Sequence, residues 1–111
     1  MPSRDDDLLI GDIITSCEKI FRYTETLSFE NFSGNEMVVD AVVRNFEIIG
    51  EAAKLISEEM RMLNPLVEWQ LMTDFRNLLI HEYFGIDIGI VWSVISNELI
   101  YNFELLQKIK I

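Results

Sequence analysis

The chain has 111 residues, half of them hydrophobic, with a net charge of −10 and an isoelectric point near 4.4. That size fits one domain, residues 1–111, with enough apolar content for a real core. The acidity argues against broad electrostatic capture of nucleic acid, DNA above all, and leaves room only for a local cluster of arginines.

A single cysteine, Cys17, allows no internal disulfide and suits a reducing cytoplasm. Its plainest reading is a small buried hydrophobe. Apolar runs are too short to span a membrane, and Asp5-Asp6-Asp7 argues against an export signal.

In chain order, the spacing predicts a first helix over Asp5 to Thr26, with Leu9, Ile13, Ile14, Cys17, Ile20 and Phe21 recurring at three- and four-residue steps. Its acidic first turn complements the helix dipole. A connection follows from Leu27 to Asn35, with Phe29 and Phe32 as apolar plugs.

A second helix is expected from Glu36 to Met60, striped by Val38, Ala41, Val42, Phe46, Ile49, Ala52, Ala53 and Ile56. Gly50 lies in its middle, where glycine costs about 1 kcal/mol relative to alanine, so a close helix contact is expected there. Arg44 and Glu51 are candidates to flank a polar cleft. The plainer reading of both is a solvated face.

Asn64-Pro65 reads as the entry to a third helix, with a break near Trp69, and Gly85 as its exit. With Arg76 set to zero on a wheel of 100° per residue, Leu71, Met72, Phe75, Leu78 and Leu79 fall in an apolar arc of roughly 200–320°. That arc is expected to face the core. Arg76, Asn77, His81 and Tyr83 form a polar band on the other side, with Asn77 and His81 an i,i+4 pair. Asp87 then caps a last helix to about Lys110, marked by Val91, Ile95, Leu99, Phe103 and Leu106. No strand pattern is visible, and the elements point to an all-α antiparallel bundle of four to five helices. Its surplus apolar surface suggests homodimerisation.

His81 is the only histidine, and with one cysteine far away it forms no metal cluster; no metal and no cofactor are expected. There is no phosphate-binding glycine loop and no nucleophile elbow. What remains is acid–base chemistry by His81 with Arg76 stabilising negative charge. Cleavage of RNA through the ribose 2′-hydroxyl needs that equipment. One imidazole per chain makes a two-fold dimer the natural way to supply both acid and base.

Arg76-Asn77, four residues on His81, then Tyr83, resembles the signature of the HEPN superfamily, and within it the HepT-like toxins paired with a minimal nucleotidyltransferase antitoxin. Ile48-Ile49-Gly50-Glu51-Ala52-Ala53 is similar to the second-helix signature of that group, and Glu68-Trp69 and Trp92 also fit. The resemblance implies a dimerising helical bundle and a metal-independent endoribonuclease that arrests growth when unrestrained. It implies catalytic roles for Arg76 and His81 and a supporting role for Asn77. Tyr83 would be the residue that the antitoxin adenylylates. The competing expectation is a non-catalytic module binding a nucleotide or a partner protein.

Overall fold

The computed structural model describes residues 4–82 and 85–109. Among them the chain is helical throughout, with no strand. The elements are α1 (Arg4–Thr24), α2 (Phe29–Ser33), α3 (Glu36–Leu55), α4 (Glu58–Leu63), α5 (Trp69–His81), α6 (Ile88–Ser96) and α7 (Glu98–Gln107). They form the expected antiparallel bundle, with α3 packed between α1 and α5.

The long helices follow the periodicity. Ile10, Ile13, Cys17 and Ile20 are fully buried along one stripe of α1 and meet Val42, Val43, Phe46, Ile49 and Ala53 of α3. Local chemistry sets the helix starts. Asp5, Asp6 and Asp7 occupy the first turn of α1, and the side chains of Ser28, Asn35 and Asp87 each accept a backbone N–H at the head of α2, α3 and α6. The expected connection after α1 thus contains a short helix of its own. Phe32 is its buried plug, its ring 5.0 Å from that of Trp92, whereas Phe29 is partly exposed.

Two expected helices are each divided. The second stops at Leu55, because Ile56 and Ser57 are extended, with ψ of 135° and 153°. Asp6 holds this break from across the bundle. Its carboxylate, 1% exposed, accepts from the Ser57 backbone N–H at 2.9 Å and from the Ser57 hydroxyl at 2.6 Å. Ser57 Oγ in turn caps α4 by accepting from Met60 N. The last helix divides at Asn97 (φ −125°, ψ −81°), whose side-chain amide turns back onto the Ser93 carbonyl at 2.8 Å.

The entry to the motif helix also differs from expectation. Asn64 closes α4, and α5 begins at Trp69, where a break was anticipated. The segment between them is fastened rather than helical: the Trp69 indole donates to the Asn64 carbonyl, and Asn102 of α7 bonds both the backbone N–H and the carboxylate of Glu68. At the other end α5 stops at His81, short of Gly85.

Candidate functional site

The site is built on the α3–α5 contact. Gly50 allows it: a methyl group at that position would lie 2.1 Å from Arg76 Cβ and 2.9 Å from the Met72 carbonyl oxygen. The backbone of α3 therefore touches the side-chain stem of Arg76, as the mid-helix glycine anticipated.

This seating turns α5 relative to expectation. Its buried residues are Trp69, Met72, Thr73 and Leu79, at about 20°, 320°, 60° and 300° on the wheel with Arg76 at zero. The covered side is thus centred near Arg76 itself. Leu71 and Leu78, near 200–220° in the arc expected to be buried, remain 42% and 44% exposed. The apolar arc does not face the core as a whole, because the helix packs where glycine permits the closest approach.

Arg76 is half-buried, with its head fixed from two sides. Nη2 lies 2.8 Å from Glu51 Oε2, and Nη1 donates to Asn77 Oδ1 at 2.8 Å. Nε is buried and has no hydrogen-bond partner among the described residues. Glu51 is thus next to Arg76, contributed by the residue after Gly50. Arg44, on the same helix, stands apart from this group: it is exposed and lies 3.9 Å from Glu47. His81 is exposed at the last position of α5. The assignment of Tyr83 lies outside the described residues.

The arrangement offers an oriented, partly desolvated cation, an amide that holds it, and an imidazole open to solvent. Among the described residues no group of three or more histidine, cysteine or acidic side chains is disposed to bind a metal. The apolar side of α5 borders two clefts. A small cavity of about 50 Å³ lies among Phe46, Ile49, Met72, Phe75 and Leu99. A more open one of about 250 Å³ lies among Phe75, Leu78, Leu79, Ile86 and Ile90.

The sequence model of the family described as Ribonuclease HepT-like matches residues 13–109, nearly the whole chain and all of the site. The chain belongs to the HepT-like ribonuclease family. The HepT-like match agrees with curated relatives of similar length. One, from Methanocaldococcus jannaschii, is named "Putative RNase MJ1380" and is 37% identical over 88% of this chain and 90% of that protein. Another, from Thermococcus cleftensis, is named "Probable ribonuclease HepT" and is 37% identical over 89% and 93%. A third, "Putative RNase TTE0752" from Caldanaerobacter subterraneus subsp. tengcongensis, is 38% identical over 78% of each chain. No solved structure matches this HepT-like chain.

Of the residues singled out in the sequence, the fold joins Arg76, Asn77 and Glu51 directly, and leaves His81 exposed at the end of the same helix. The direct pairing of Glu51 with Arg76 was not anticipated. Its signal was the Gly50-Glu51 dipeptide, since a glycine that admits a neighbouring helix places the next residue beside that neighbour.

Proposed function

We propose that the protein is a metal-independent endoribonuclease toxin acting as a homodimer, with Arg76 and His81 in its catalytic cleft. The observation that carries this reading is the fixed guanidinium of Arg76 on the helix that presents the only imidazole, within a chain of the HepT-like ribonuclease family.

In this mechanism a basic imidazole takes the proton of a ribose 2′-hydroxyl. The 2′-oxygen bonds to phosphorus, and the bond from phosphorus to the 5′-oxygen breaks. An acidic group, the second chain's imidazole, protonates the leaving 5′-oxygen, and a cyclic phosphate remains. Arg76 stabilises the extra charge on the phosphoryl oxygens. The half-exposed Leu71 and Leu78 lie on the side of α5 away from Arg76 and nearer His81; they support the dimer, because an uncovered apolar side suits a second copy. A nucleotidyltransferase antitoxin neutralises the toxin by adenylylating Tyr83, placing a bulky anion where RNA must enter.

The test is cleavage of total cellular RNA in excess EDTA by wild type and by Arg76→Ala and His81→Ala. The wild type is expected to leave cyclic phosphate ends. Each variant is expected to lose cleavage and toxicity while keeping its helical circular dichroism. Wild-type activity in both variants would remove these residues from the mechanism.

One observation favours a second reading, a non-catalytic binding module: the net charge of −10 opposes RNA affinity. Absence of cleavage at high enzyme and low salt, with Tyr83 shown by mass spectrometry to be unmodified, would support it.

A further inference from the structure

We propose that Glu51 is the positioning residue of the site, aiming the Arg76 guanidinium at the scissile phosphate; this rests on the ribonuclease reading above. Two consecutive residues of α3 control this one side chain. Gly50 fixes the stem, since α3 backbone occupies the space beside Arg76 Cβ. Glu51 fixes the head through the 2.8 Å contact to Nη2. Asn77 adds a neutral bond to Nη1, but it is the adjacent residue on the same helix and moves with Arg76. Among the described residues, Glu51 is what ties the guanidinium to a second element.

A guanidinium is planar with five N–H donors. With Nη2 held by Glu51 and Nη1 by Asn77, the head keeps one orientation, and a planar head of fixed orientation suits two-pronged contact with a phosphate.

The energetics favour a role in aim over a role in folding. Glu51 is 59% exposed and Arg76 23%, and an ion pair this open to solvent contributes little to stability after screening. Placement, in contrast, acts on rate directly, because a catalytic cation displaced by about 1 Å loses much of its effect.

The experiment compares wild type, Glu51→Ala and Glu51→Gln by steady-state cleavage of a short RNA, with melting temperatures measured alongside. Glu51→Ala is expected to lower kcat by about tenfold or more while KM changes by less than about threefold. Its melting temperature should stay at the wild-type value. Glu51→Gln keeps an acceptor oxygen toward Nη2 and is expected to restore most of kcat. Glu51→Ala that cleaves at the wild-type rate, or Glu51→Gln as inactive as Glu51→Ala, overturns the proposal and leaves the ribonuclease reading standing. Failure of the wild type itself to cleave overturns both.

Discussion

At the residue scale, burial decides what Cys17 does. It lies at 0% exposure in the α1 stripe, and removal from water, reinforced by the negative charge of Glu18, pushes its thiol from 9.0 up to about 12. The thiolate is the reactive form, so the folded protein is expected to resist iodoacetamide at pH 8 and to react fully in urea, as read by mass spectrometry. The shift also has a thermodynamic consequence. Above pH 9 the unfolded thiol loses its proton while the folded one keeps it, so this contribution to stability is present below pH 9 and declines as pH rises toward 12. Urea denaturation of wild type and Cys17→Ala across that range should show a steeper decline in the wild type.

At the element scale, two positions determine how the helices meet. Gly50→Ala would gain about 1 kcal/mol of helix propensity. The new methyl would have to displace Arg76 Cβ or the Met72 carbonyl, and such overpacking costs about 1–3 kcal/mol. Backbone and a Cβ cannot swing away as a side-chain tip can, so the steric cost is expected to win. Urea denaturation should show a net loss of stability, accompanied by a fall in RNA cleavage because Arg76 moves. Asp6 is the second position. Its carboxylate takes two hydrogen bonds from Ser57 at the α3–α4 break. Asp6→Ala leaves both donors without that partner and is expected to cost about 2–3 kcal/mol.

These breaks were hidden in the sequence for a common reason. Ser57 and Asn97 are acceptable inside a helix on local grounds, and the apolar stripe runs past each of them without changing period. A residue 51 positions away fixes Ser57 in its extended conformation, and no window of local sequence contains both partners. Asn64-Pro65 misleads in the same way. It carries the features of a helix start, but Asn102 takes hold of Glu68 instead, and α5 begins only after that anchor.

At the scale of the whole molecule, the bundle is thin. Its principal extents are 45 × 28 × 19 Å, about two helices across the shortest direction. A slab of that thickness cannot cover every side of its inner helices. Leu71 and Leu78 on α5 and Ile90 on α6 are left 42–48% exposed, and no helix among the described residues is long and apolar enough to cross a membrane. In the proposed homodimer a second copy would cover this surface and bring the His81 sides of two α5 helices toward each other. Leu78→Asp is therefore expected to shift the protein to monomer in sedimentation velocity and to abolish RNA cleavage, with the circular dichroism unchanged. A variant that stays dimeric and active would place the dimer contact elsewhere.

The sequence by itself determined the helical class, the presence of α1, α3 and α5, the acidic first turn of α1, the cap at Asp87, and the motif residues Arg76, Asn77 and His81 by which the chain resembles HepT-like ribonucleases. Those properties are written in spacings of three to five residues, where the geometry of a single helix links side chains directly. Only the tertiary structure decided which side of α5 is covered, where the long helices break, and that Glu51 holds Arg76. Each of these depends on two elements approaching closely enough for one residue to fill or vacate a neighbour's space. Gly50 signals that such an approach occurs, and the packing of the whole bundle selects what it meets.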